Sequence, residues 1–449
     1  MNYCNNNIAV TISTGEKVRL LAALLIVVLV AEKIGSIEIS LGPAKVILLP
    51  LLWALIIGAA ISLVSKRMPP WMSVNDKTQD ISSHLLQPAL LMLMAKLGLL
   101  VGGSFPVLLK SGAGLILQEF GHFFGTMIFG LPIALLLGIK REAIGATFSI
   151  GRETSIAIIS ERFGMKSPEG HGVLAEYITG TVFGAIFISI LAGIVTSLRV
   201  FNPLALAMGA GVGSGSLMAA ATGAIAAQQD PEIAKEVVAL AAASNLITSV
   251  IGTYFMLFIS LPFTVWAYNF LEPILGSNTT EKLNSSHKAE GLSQHRETAE
   301  IKMSTQLMIW VSICGLSIAG ASVNHRIPII SMPAIMGFAI LLGVVLLGYL
   351  CYRLTIRKLP AIVWVSLVGI ALTYPRFPYS VEFAELTANV NFLTLTTPIL
   401  ALAGISIAKD LPILQRLGWR IVLVSCLANA GSFLGAAIIA QFFVSPSHH

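Results

Sequence analysis

Eleven apolar runs divide the sequence, at about 20–35, 43–65, 84–105, 113–138, 172–198, 236–268, 306–322, 328–352, 359–375, 388–407 and 417–443. So many long runs cannot share one water-soluble core, since about 20 apolar residues already span a bilayer. Only 11% of the 449 residues are charged, against roughly 25% in soluble proteins. The expected fold class is an all-α polytopic membrane protein with about eleven transmembrane helices. Cys314, Cys351 and Cys426 lie inside apolar runs and Cys4 near the start; their spacing matches neither a disulfide framework nor a metal site. Leu20 to Ala31 could imitate a signal peptide, but Glu32 and Lys33 follow it without a small-x-small cleavage site, so it reads as an uncleaved first span.

Two further stretches, 143–160 and 204–226, are rich in Gly, Ser, Ala and Thr. They read as re-entrant or broken segments that enter the membrane and return. With that reading and a cytoplasmic N-terminus, eighteen of the 28 Lys and Arg fall in inner loops. Six (Lys45, Lys110, Arg199, Lys235, Arg326, Arg376) fall outside, and Lys33, Lys96, Arg152 and Arg420 lie within spans. This asymmetry orients the chain with its N-terminus cytoplasmic and its C-terminus outside, in a plasma (inner) membrane. The net charge of +6 is thereby a topology signal, and no nucleic-acid partner is expected. Asn269 to Thr305, polar and containing His287 and His295, reads as a cytoplasmic linker.

Two internal repeats are expected. Leu97–Gly112 aligns without gaps to Ala403–Gly418 at an offset of 306, pairing Gly98 with Gly404, Pro106 with Pro412, Gly112 with Gly418 and, further on, Gly125 with Gly431. Each copy is a span end, a Pro-containing turn and a new span, in inverted orientation. A looser repeat aligns Gly145–Arg152 with Gly209–Ser216, and Glu176–Thr179 with Asn245–Thr248; helix packing alone also gathers small residues. Irregular backbone survives at membrane depth only inside protein or against a water-filled cavity. Two inverted broken segments meeting near the midplane form the site geometry of secondary transporters.

Gly404-Ile405-Ser406-Ile407 with Asp410-Leu411-Pro412, alternating with the Gly/Ser-rich segments, resembles the elevator-type secondary transporters. These include the sodium:glutamate, 2-hydroxycarboxylate and bile-acid symporter relatives. Gly145 to Glu176 resembles an uncharacterised bacterial multi-spanning membrane family of similar layout. One departure is that both broken segments lie consecutively between the scaffold-like units. The resemblance implies a dimer-holding scaffold and a moving core: an N-terminal segment with the first span (1–42), scaffold repeat A (43–139), core repeat A (140–202), core repeat B (203–268), the linker (269–305) and scaffold repeat B (306–444).

The expected function is secondary active transport of a small organic anion, a carboxylate or amino acid, coupled to sodium or protons. The partners are that substrate, the lipid bilayer and a second copy in a homodimer. No cofactor is expected beyond sodium as a coupling ion. Arg152 is the candidate fork for a carboxylate and Glu153 the candidate ion or proton group; a structural Arg–Glu pair, or one at the inner interface, explains them equally. Thr154, Ser155, Ser214, Ser216 and Asn245 complete the candidate substrate site, and Glu176, Thr179 and Thr248 join Glu153 in coupling. Thr222 reads as a packing residue. Lys96, Glu119 and His122 fit a buried ion pair, a proton relay, snorkelling or a scaffold salt bridge. Asn389, Asn391 and Asn429 read as interhelical hydrogen-bonding residues. A channel would need a continuous polar stripe, and a membrane enzyme a nucleophile with its base or a complete metal motif. Glu119-Phe120-Gly121-His122 lacks the first His of HExxH, and the sequence contains no P-loop, so neither an enzyme nor an ATP-driven pump is expected.

Overall fold

The computed structural model describes residues 13–41, 44–65, 74–103, 112–164, 167–276, 302–325, 332–355 and 361–444. The turn around Pro106 and most of the polar linker lie outside the described residues. Helix α1 (Thr14–Ile34) opens with a capping box. The Glu16 amide donates to the Ser13 hydroxyl at 3.3 Å, and the Ser13 amide donates to the Glu16 carboxylate at 3.0 Å. The following apolar residues leave the helix: Ile37–Leu41 (β1) pairs antiparallel with Ala44–Leu48 (β2), Ile37 opposite Leu48 and Leu41 opposite Ala44. The branched residues Ile37, Ile39, Val46 and Ile47 suit that geometry. Helix α2 (Pro50–Val64) therefore has only 15 residues, with Pro50 in the first turn, where its missing N–H is not needed.

The chain continues as α3 (Asp76–Gly103), α4 (Gly112–Leu136), α5 (Glu142–Thr147), α6 (Arg152–Arg162), α7 (Pro168–Ser197, with a π-helical turn at Gly180–Gly184), α8 (Pro203–Ala210) and α9 (Gly215–Ala226). Next come α10 (Pro231–Phe255), a π-helical turn at Met256–Ser260, and α11 (Leu261–Leu275). The last group is α12 (Met303–His325), α13 (Met332–Leu354), α14 (Ala361–Thr373), α15 (Ser380–Ala388), α16 (Phe392–Leu417) and α17 (Trp419–Gln441).

Six of these, α3, α4, α7, α12, α13 and α17, are long and apolar enough to cross a membrane. The pair α15–α16, bent by 62°, makes a seventh if taken as one span. This is fewer than the eleven expected, and two of the runs fall short for a physical reason. The run at 43–65 is a strand plus a short helix, and the run at 359–375 yields a helix of 13 residues. The expected turn at Pro412 is also displaced: α16 continues through position 412 to Leu417, and the chain turns at Gly418, φ 79°.

Helices α1–α3 pack with α12–α16, and α4–α11 pack with α17. The most apolar window of α3 is 89% buried and that of α13 only 33%, so α3 is central and α13 peripheral. Leu347, Leu350 and Leu354 of α13 point outward, an arrangement that costs about 25 cal/mol per Å² in water and nothing in hydrocarbon.

The tightest crossings fall at glycines. A methyl group on Gly58 of α2 would lie 2.9 Å from Ala401 O, 3.1 Å from Ile405 N and 3.3 Å from Gly404 C. On Gly369 of α14 it would lie 3.1 Å from Ala95 O, 2.9 Å from Leu99 N and 3.0 Å from Gly98 C. One turn further along, Ser62 Oγ donates to Ile405 O at 2.7 Å and Thr373 Oγ1 to Leu99 O at 2.8 Å. Helices α4 and α17 cross antiparallel, Gly121 against Gly435 and Gly125 against Gly431. A methyl on Gly125 would be 2.0 Å from Gly431 O, and one on Gly431 2.2 Å from Gly125 O.

Candidate functional site

Both Gly/Ser-rich segments are helix–break–helix units. The first is α5, a break at 148–151, then α6; the second is α8, a break at 211–214, then α9. In the first break the Gly151 amide donates to Ser149 Oγ at 2.9 Å, a local bond that competes with helix continuation. In the second, Gly213 has φ 88°, a left-handed conformation that glycine adopts without penalty. The extended Ser214 then starts α9.

The two breaks meet. A methyl on Gly213 would lie 3.0 Å from Ile150 Cδ1. Ile150, Gly209, Val212, Leu217, Asn429 and Phe433 line a cavity of about 10 Å³ between them, room for about one water. The carbonyls that the breaks release are answered by side chains. Asn245 Nδ2 of α10 donates to Gly211 O at 2.8 Å and to Gly213 O at 3.1 Å. Ser260 Oγ, in the π-helical turn after α10, donates to Phe148 O. The segments are also pressed against their neighbours: a methyl on Gly145 would be 1.9 Å from Glu169 O, and one on Gly209 would be 2.6 Å from Phe433 O. Arg141 holds one end of this crossing, its Nε donating to Glu169 Oε1 at 2.7 Å.

The side chains of Arg152 and Glu153 lie outside the described ones. Thr154 Oγ1 is beside Gly151, and Ser155 Oγ is buried 3.5 Å from Met256 Sδ. The Ser214 and Ser216 hydroxyls are 3.3 Å apart at the start of α9. Asn429, on α17, donates to Glu176 Oε1 at 3.5 Å and to Ser425 O at 2.8 Å, so Glu176 stands behind a residue that lines the cavity. Thr179 Oγ1 is buried with no hydrogen-bond partner among the described residues. Thr248 Oγ1 donates to Glu119 Oε1 on α4.

The grouping of Lys96 with Glu119 and His122 does not hold. Lys96 Nζ donates to Thr387 O at 2.5 Å, at the carbonyl end of α15, where the helix dipole favours a cation. His122 Nδ1 is 2.5 Å from Ser432 Oγ. Among the described residues, Asn389 and Asn391 do not bridge helices. Asn389 bonds back to Glu385 O and Leu386 O, and Asn391 caps α16 by accepting from the Leu393 amide at 2.8 Å. Asn429 does bond between helices, from α17 to Glu176 on α7, and it lines the cavity as well, a place that its position two residues before Gly431 does not by itself disclose.

Apolar helices closed around two touching helix breaks define this chain as a polytopic helical membrane protein. It belongs to the DUF3100 family, whose description is a protein of unknown function and whose profile matches residues 29–270, more than half of the chain. The matched stretch contains both breaks together with α4 and α10. No curated protein and no solved structure matches it.

Proposed function

We propose that this protein is a secondary active transporter that moves a small organic anion, a carboxylate or amino acid, by alternating access of the elevator type, coupled to sodium or protons. The observation that carries the reading is the pair of broken helices meeting at Ile150 and Gly213, with their freed carbonyls held by side chains. Broken helices at a shared centre are how transporters expose backbone groups to substrate and ion. The inverted-repeat reading draws support from the glycine crossings. Gly58 meets Ala401, Gly404 and Ile405, while Gly369 meets Ala95, Gly98 and Leu99, and these last three precede Ala401, Gly404 and Ile405 by 306 positions. Gly125 and Gly431, also 306 apart, face each other across the α4–α17 crossing.

In this reading Arg152 forks the substrate carboxylate, the Ser214 and Ser216 hydroxyls and the Asn245 region bind its polar atoms, and Thr154 and Ser155 shape the first break. Glu153, Glu176, Thr179 and Thr248 serve coupling. The chain lies in the inner membrane with its N-terminus cytoplasmic and its C-terminus outside, as a homodimer.

Uptake of labelled carboxylates and amino acids into proteoliposomes, with and without a sodium or proton gradient, tests the proposal. Gradient-dependent uptake lost in Arg152→Ala and Ser216→Ala is the expected result. Uptake unchanged in both variants would reject the site, and uptake of no tested anion under any gradient would reject the transport reading. A cysteine at position 230 labelled only from the cytoplasm would reverse the orientation.

A further inference from the structure

One buried polar cluster is only partly used by that reading. Gln118 and Glu119 of α4 are both 0% exposed, and they face Ser244 and Thr248 of α10, also buried. Gln118 Nε2 donates to Glu119 Oε1 and to Ser244 Oγ, both at 3.0 Å, and approaches Leu115 O at 3.3 Å. Ser244 Oγ donates onward to Met208 O at 2.7 Å, and Thr248 Oγ1 donates to Glu119 Oε1. Every donor in the cluster is therefore engaged. Two acceptors remain: Glu119 Oε2 and Gln118 Oε1 are shut away from solvent with no partner among the described residues.

Among the described residues the surroundings supply no positive charge. Glu119 Oε2 looks toward Gly252 of α10, 3.9 Å from where a methyl group would begin, with Phe123 alongside. His122, on the same helix, is engaged with Ser432 of α17. The ion pairs among the described residues lie elsewhere, at Glu16, Asp80, Glu169 and Glu232. This buried carboxyl group beside a buried amide oxygen, with the nearby hydrogens committed, has no cationic partner among the described residues.

We propose that Gln118, Glu119, Ser244 and Thr248 form a monovalent-cation site, in which Glu119 and Gln118 Oε1 hold one unit of positive charge, a sodium ion or a proton. An all-oxygen donor set suits a hard cation, and one carboxylate balances one positive charge. The coupling role of this site rests on the transport reading, but occupancy of the site does not. The bond from Thr248 to Glu119 ties α10, whose Asn245 holds the second break, to α4, so a cation here bears directly on how those helices dock.

Thermal unfolding of the purified full-length protein in detergent, in sodium chloride against choline chloride at matched ionic strength and over a range of pH, reads this occupancy without any substrate. If sodium is the ligand, the midpoint rises and saturates with sodium, and Glu119→Gln weakens the apparent sodium affinity about tenfold or more. If a proton is the ligand, sodium has no effect, and the wild-type midpoint varies with pH in a way that Glu119→Gln flattens. Absence of both responses in the wild type, or their survival in Glu119→Gln, overturns the proposal. Should Glu119→Gln fail to fold, Thr248→Val removes one oxygen without changing charge, and wild-type sodium and pH responses in it overturn the proposal equally. The two readings fail separately. Sodium or proton binding without uptake of any anion sinks only transport, whereas uptake whose ion dependence is unaltered by Glu119→Gln sinks only this site.

Discussion

Gly125→Ala is the sharpest physical test of the crossing that supports the candidate site. A methyl group there would lie 2.0 Å from Gly431 O, and a backbone carbonyl in the middle of a helix cannot swing aside. Restoring an ordinary contact of 3.4 Å requires α4 and α17 to separate by 3.4 − 2.0 = 1.4 Å near this point. A gap of 0.5–1 Å already forfeits roughly a quarter to a half of each dispersion contact along the crossing. Overpacking of this kind costs about 3 kcal/mol, against a gain of about 1 kcal/mol from replacing glycine by alanine in a helix, leaving a loss of about 2 kcal/mol. Thermal unfolding in detergent measures it, with Gly343→Ala as control: nothing lies within 4 Å of a methyl at that position on α13, so the control should match or exceed the wild type. Because Gly125 and Gly431 force the same separation, Gly125→Ala with Gly431→Ala should cost less than the sum of the two. A Gly125→Ala protein as stable as the wild type would refute the crossing as described.

Asn245→Ala strips two carbonyls in the second break of their donor and should cost about 1–3 kcal/mol; a wild-type unfolding midpoint would show that the break does not depend on this amide. Arg141→Gln leaves the Glu169 carboxylate, 2% exposed, without its cation. Since the Arg141 side chain is half exposed, a loss of about 2 kcal/mol is expected, and adding Glu169→Gln should restore part of it; no recovery in the double variant would argue against the pair. The hydrogen bond from Lys77, 2.7 Å away, and the bond from the Ser13 amide hold the Glu16 carboxyl below the usual carboxylate range. Its contribution to the start of α1 is thus present above the unfolded carboxyl pKa, about 4.3, and is lost as pH falls through the lower folded value. Amide exchange over residues 14–17, corrected for intrinsic rates, should quicken at acid pH in the wild type and lose that extra dependence in Glu16→Gln.

What the sequence discloses about this protein is whatever depends on residue type along a short stretch. The breaks were legible because Gly and Ser crowd 145–151 and 209–216, and such residues end helices by conformation or by local bonding. Gly98, Gly125, Gly404 and Gly431 were legible because backbones that touch leave room for nothing larger. Asn245, Glu176 and Thr248 stood out as polar residues in apolar helices. The hairpin at 37–48 was hidden, since a short apolar run has the same composition whether it becomes strand or helix. The partner of Lys96 lies 291 positions away and that of Thr248 lies 129 positions away; no local rule supplies them. Asn389 and Asn391 misled for the opposite reason: their short amides satisfy the helix ends beside them before they can reach another helix.

The inverted-repeat reading gives the two acids of this region a common logic. At the offset of 306, Glu119 corresponds to Ser425 and Phe123 to Asn429; at the offset of 69, Thr179 corresponds to Thr248 and Glu176 to Asn245. Glu119 bonded to Thr248 on α4 and α10 thus occupies the place of Ser425 and Thr179 on α17 and α7, where both hydroxyls lack a partner among the described residues. One turn away on that second side, Glu176 accepts from Asn429. If the repeat holds, each half carries one carboxyl group between a glycine-rich crossing helix and a long helix that contains or runs into a π-helical turn, but on opposite members of the pair. An ion held at Glu119 would therefore act on one half only, and such asymmetry is what a device needs if binding is to favour one of two otherwise related arrangements.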